Sequence, residues 1–82
     1  MTVDMKNVES SNIRRVGYNP EAKRLYIQFK SDKTYRYDNV EPETYAALMG
    51  SESIGRGFAA LIKADPERYP YKKLDLEPGE EE

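Results

Sequence analysis

The chain has 82 residues, 34% charged and 38% apolar, with a net charge of −2. Cys and His are both absent, which excludes disulfides, a zinc site of the usual kind, a cysteine nucleophile and any imidazole acid or base. No apolar run reaches ~18 residues and no basic-then-apolar leader opens the chain, so a small, non-catalytic, cytoplasmic domain without cofactor, metal or membrane contact is expected.

The apolar share includes seven tyrosines. Phenol rings must therefore fill core volume, and each buried hydroxyl needs a partner or a path to water. Self-association, as a homodimer or higher homo-oligomer, would enlarge so small a core. Charge is uneven along the chain. The last eight residues, DLEPGEEE, hold five acids and no base; without them 13 basic residues face 10 acidic ones, a net +3. Residues 13–36 hold seven bases and two acids, a local +5. Such a surface attracts phosphates or an acidic partner.

Residues 1–9 show no clear period and read as a loose lead-in or an added edge strand. Ser10, Ser11 and Asn12 punctuate the start of a single domain over residues 10–74. Residues 13–18 form a strand if a bulge near Arg14 and Arg15 repairs the apolar spacing. Asn19-Pro20-Glu21-Ala22 is a turn, with Pro20 presetting φ. Residues 24–30 alternate cleanly: Leu25, Ile27 and Phe29 on one face, Arg24, Tyr26, Gln28 and Lys30 on the other. Ser31-Asp32 turns the chain into a third strand, residues 33–38, where Tyr35 and Tyr37 share one face and Thr34 and Arg36 the opposite one.

The period then becomes helical. Pro42 suits a first helical turn, Glu43 its positive end and Gly50 its exit, and Val40 is placed to staple against Tyr45. A second helix starts near Ser51–Ser53 and ends near Ala64-Asp65-Pro66, with Ile54, Phe58, Leu61 and Ile62 as its apolar stripe. Gly55 and Gly57 inside it cost up to ~1 kcal/mol each relative to Ala. Close packing, against Tyr35 or Tyr37, or close approach of a ligand must compensate. Tyr69, Pro70, Tyr71 and Leu74 suggest an extended strap, and residues 75–82 a disordered acidic tail. The fold class is α+β: a three-stranded antiparallel meander, two short helices on one sheet face, and a C-terminal strap. The other face is expected to display Arg14, Arg24, Tyr26, Gln28, Lys30 and Arg36.

The ordered set of motifs resembles the KTSC domain. It comprises Ser10-Ser11-Asn12-Ile13, Val16-Gly17-Tyr18, Leu25-x-Ile27-x-Phe29, Tyr35-Arg36-Tyr37, Ser53-x-Gly55-x-x-Phe58-x-x-x-Ile62 and the closing segment from Tyr69 to Leu74. The resemblance spans about residues 8–74 and departs at Ala59, where the family pattern suggests a polar residue, often Asn. It implies a short non-catalytic module of bacterial or phage origin, found alone or at the end of lysyl-tRNA synthetases, with RNA as the expected ligand. The location expected is then the cytoplasm of a bacterium or of a phage-infected host.

Three surfaces are candidates for binding. Ser53, Gly55, Arg56 and Gly57 at a helix start would offer free N–H groups, a hydroxyl and a guanidinium to a phosphate; the alternative is an N-cap with packing glycines. Tyr35 and Tyr37 would stack bases, with Lys33 and Arg36 on phosphates; the alternative is a pair of core residues. Tyr26 among Arg14, Arg24, Lys30 and Arg36 would make an RNA-reading sheet face; the alternative is a solvated charged face. The function expected is a binding module for a nucleotide, oligonucleotide or RNA. The alternatives are a sponge that sequesters a small cyclic or short oligonucleotide signal, and an adaptor that docks an acidic protein.

Overall fold

The structure is a computed structural model that describes residues 5–74. Five strands, β1 (Met5–Asn7), β2 (Ile13–Asn19), β3 (Arg24–Phe29), β4 (Thr34–Tyr37) and β5 (Tyr71–Leu74), form one antiparallel sheet in chain order. The helices α1 (Pro42–Met49) and α2 (Ile54–Phe58) intervene between β4 and β5, and α2 runs into a π-helical turn, Ala59–Lys63. The three expected strands are therefore the middle of a sheet of five. The lead-in contributes β1 and the strap contributes β5. The expected tail, residues 75–82, lies outside the described residues, as do residues 1–4.

Local chemistry sets the turns. Asn19 Oδ1 accepts from Glu21 N (3.0 Å) and Ala22 N (3.2 Å), which bends the chain between β2 and β3. Asp32, at φ 68°, closes the next hairpin, where Phe29 and Lys33 pair at 2.9 Å. The register of β2 on β3 slips between Ile13 and Arg15, the bulge that the apolar spacing calls for.

α1 begins with Pro42 and has Glu43 in its first turn. It is tied to the sheet just upstream: Val40 N donates to Lys23 O (2.9 Å), and Tyr18 Oη donates to Val40 O (2.5 Å). Tyr45 from α1 stacks on Tyr18, with centroids 4.5 Å apart and planes within 10°.

One face of the sheet carries the main core. Ile13, Val16, Leu25 and Ile27 meet Val40, Leu48, Phe58 and Ile62, all essentially inaccessible. Leu61 departs from the expected stripe and is 38% exposed. The reason is the π turn, in which Ala64 N reaches back five residues to Ala59 O (3.0 Å) and widens the helix, changing the angle between successive side chains.

The opposite face also differs from expectation. Tyr26 is 1% exposed and packs with Leu74 and Met5, and Gln28 and Thr34 are buried too. The added outer strands explain the change. They place β3 at the centre of the sheet, and Gly17, directly opposite Tyr26 on β2, has no side chain to hold the ring away. Tyr26 is thus a structural residue of a second small core, not a displayed aromatic.

Candidate functional site

A cavity of about 700 Å³ opens between the helix-facing side of the sheet and the π turn. Its apolar walls are Phe29 from β3, Tyr35 and Tyr37 from β4, Phe58 from α2, and Tyr69 and Tyr71 from the closing segment. The rings brace one another edge to face. Phe29 meets Tyr35 at 5.6 Å and Phe58 at 6.0 Å, and Tyr37 meets Phe58 at 5.1 Å. Tyr71 completes the wall, 6.0 Å from Tyr35 and 5.8 Å from Tyr37. It is 61% exposed on the edge strand, so this wall has a ring available at its lip.

The polar lining comes from Ser11, Asn12 and Ser31 and from three lysines, Lys30 and Lys33 on the β3–β4 hairpin and Lys63 on the π turn. No Asp or Glu is among the described residues that line it. Four other basic residues of the first half are paired, while Lys6 and Arg15 form no ion pair among the described residues. Arg14 pairs with Asp32 (3.5 Å), Lys23 with Glu41 (3.1 Å), and Asp38 sits between Arg36 (3.1 Å) and Arg24 (3.7 Å). Lys30, Lys33 and Lys63 also form no ion pair among the described residues, and these three gather around the aromatic cavity. Burial, then the neighbouring Tyr35 and Tyr71, hold the Tyr37 phenol well above its ordinary value of 10.0, at about 12.

Of the residues singled out from the sequence, Lys30, Lys33, Tyr35 and Tyr37 come together in this cavity. Lys30 lies past the end of β3, in the hairpin, and so leaves the sheet face on which alternation puts it. Arg24, Arg36 and buried Tyr26 belong to the opposite face, and Arg14 is engaged with the hairpin through Asp32 and Lys30 O (3.4 Å). Ser53, Gly55, Arg56 and Gly57 do not line the cavity. Ser53 is the N-cap of α2, its hydroxyl accepting from Arg56 N (3.3 Å).

The two glycines pack against serines and an asparagine rather than against Tyr35 or Tyr37. A Cβ on Gly55 would lie 2.9 Å from Asn12 Oδ1 and 3.0 Å from Ser10 Oγ. Ser10 Oγ in turn caps the entry to β2, accepting from Ile13 N (3.3 Å). The Ser-Ser-Asn and Ser-x-Gly motifs are therefore two halves of one contact. A Cβ on Gly57 would meet Ser51 Oγ at 2.6 Å and Ser51 Cβ at 3.0 Å. Ser51 Oγ is itself committed to Leu48 O (2.6 Å). Gly57→Ala is expected to lower the unfolding free energy by about 1–3 kcal/mol in urea denaturation, as overpacked sites do. This holds despite the ~1 kcal/mol that Ala gains in helix propensity.

Phe29, Phe58, Tyr69, Tyr71 and Lys63 complete the cavity beyond what the sequence suggested as a site. Period-two alternation already puts Phe29 on the Tyr35 face, and Tyr69 and Tyr71 flank Pro70. No sequence signal joins these to Lys63.

A five-stranded antiparallel meander with its helices on one face and an aromatic cavity at their seam defines a small α+β single-sheet domain. The chain belongs to the KTSC domain family, whose family model matches residues 9–69. It is similar to an uncharacterized protein of Stutzerimonas stutzeri, 41% identical over 73 residues, covering 87% of this chain and all of that one. A protein of Tsukamurella paurometabola is 39% identical over 59 residues, covering 72% of this chain and 88% of the relative. The crystal structure of a KTSC domain protein from Yersinia pestis superposes with a TM-score of 0.80 at 32% identity, covering 88% of this chain and 97% of that one.

Proposed function

We propose that this KTSC domain is a non-catalytic module that binds a phosphate-bearing nucleotide in the cavity between sheet and π turn. The observation that carries the reading is the combination, among the described residues, of aromatic walls with three lysines that lack ion pairs and no acidic lining. Rings offer stacking worth ~1–3 kcal/mol per base, and lysine ammonium groups offer charge-assisted hydrogen bonds to phosphate oxygens. RNA laid across the opposite sheet face is the weaker reading, because Tyr26 is buried there and Arg24 and Arg36 are paired with Asp38.

Titration of the isotopically labelled chain with the four ribonucleoside monophosphates tests the reading. Shifts should centre on Tyr35, Tyr37, Tyr71 and the hairpin lysines, and affinity should fall with salt. The double variant Lys33→Glu/Lys63→Glu, both positions exposed, should weaken binding at least tenfold. A folded protein that gives no salt-sensitive shifts with any of the four would refute the proposal.

A further inference from the structure

Two phenols at the cavity have no hydrogen-bond partner for their hydroxyls among the described residues. Tyr37 and Tyr69 both line it, at 6% and 4% exposure. Their rings are buried, but neither hydroxyl is among the enclosed polar atoms that lack a partner, so both open to solvent at the cavity they line, whereas half-buried Tyr18 donates its hydroxyl to Val40 O (2.5 Å). Neither Tyr37 nor Tyr69 hydrogen-bonds through its hydroxyl to any of the described residues. Both rings are nevertheless held in place. Tyr37 is wedged edge-on against Phe58 at 5.1 Å, and Arg68 lies over the Tyr69 ring, 5.4 Å from its centroid. The flanking backbone is fixed by Asp38 N donating to Pro70 O (2.9 Å) and Tyr69 N donating to Asp65 O (3.0 Å).

We infer that Tyr37 and Tyr69 read the edge of the ligand's ring, donating their hydroxyls to its carbonyl oxygens or ring nitrogens. The inference rests on the nucleotide reading above and narrows its ligand class. The ligand is a phosphorylated heteroaromatic ring with acceptors along one edge, rather than any phosphate ester. The division of labour is spatial. Lys30, Lys33 and Lys63 take the anionic end, Tyr35 and Tyr71 face the ring, and the two unpartnered phenols meet its edge. A donor on a buried, fixed ring discriminates well once a ligand displaces the water at its hydroxyl, because a ligand lacking the matching acceptor leaves that donor unsatisfied. The raised ionisation of Tyr37 agrees with this role, since the group remains a neutral O–H donor throughout the physiological range.

Calorimetric titration with AMP, GMP, CMP and UMP, beside ribose 5-phosphate as a probe that has the phosphate but no ring, tests the inference. The unmodified chain should bind at least one nucleotide tenfold or more tighter than ribose 5-phosphate. Tyr37→Phe and Tyr69→Phe keep both rings and should each weaken that nucleotide about tenfold, leaving ribose 5-phosphate binding unchanged. Selective nucleotide binding that survives both substitutions would overturn the hydroxyl assignment and leave the nucleotide reading standing. Equal affinity for nucleotide and ribose 5-phosphate would also overturn the assignment. Failure of every nucleotide to bind the unmodified chain would remove both.

Discussion

Phe58→Ala is expected to remove about 3–5 kcal/mol of unfolding free energy, the cost of deleting a well-packed core phenyl ring. Phe58 is 2% exposed. It stands where α2 gives way to the π turn and touches Phe29 and Tyr37 edge-on, at 6.0 and 5.1 Å. Its neighbours cannot close the space freely, because Gly57 is pinned against Ser51 and Ile62 already fills the next turn. A domain of this size, with no cysteine to form a disulfide, has ~3–5 kcal/mol in total. The variant should therefore be largely unfolded at 25 °C, with collapsed amide dispersion and no urea transition. Phe58→Leu keeps most of the volume and should retain a cooperative transition at a lower urea midpoint. A Phe58→Ala protein with the parent's midpoint would show that the ring carries little of the core.

The second large effect appears at alkaline pH. Tyr37 has its ionisation pushed up to about 12 by burial and by Tyr35 and Tyr71, against 10.0 in the unfolded chain. Below pH 10 the phenol is neutral in both states and adds no pH dependence. Between pH 10 and 12 the unfolded chain releases the proton while the folded chain keeps it, so stability falls as pH rises. The slope approaches ~1.4 kcal/mol per pH unit, for a loss of about 3 kcal/mol once both forms are ionised. Urea midpoints measured from pH 9 to 12 should fall more steeply for the parent than for Tyr37→Phe, which has no proton to lose. Spectrophotometric titration at 295 nm (a phenolate band) should show a late step near pH 12 that vanishes in the variant. Parallel slopes for the two proteins would mean that Tyr37 ionises as freely folded as unfolded.

These two residues serve both core and cavity, which ties ligand occupancy to stability. A nucleotide that fills the cavity of the folded chain alone should raise the melting temperature in proportion to the logarithm of its concentration. The aromatic wall is also the part of the fold whose assembly the sequence reveals least. Tyr35 and Tyr37 are legible as one face of a strand, yet their neighbours Phe58, Tyr69 and Tyr71 arrive from separate segments.

By itself the sequence determined the features that depend on local spacing. Alternation around Leu25, Ile27 and Phe29, the Asn19-Pro20 turn, the bulge at Arg14-Arg15 and the Pro42-to-Gly50 helix all follow from neighbours a few residues apart. The absence of Cys and His closed off whole classes of chemistry in the same way. Tertiary structure decided the rest. Met5–Asn7 and Tyr71–Leu74 are too short to show a period, and only pairing with β2 and β4 makes them strands. That widening turned Tyr26 from a displayed ring into a buried one. The π turn took Leu61 off the core stripe, and Gly55 and Gly57 proved to be spaces for Ser10, Asn12 and Ser51. Hydrogen-bonded pairing and steric fit between distant segments set these outcomes, and neither leaves a periodic mark on the chain.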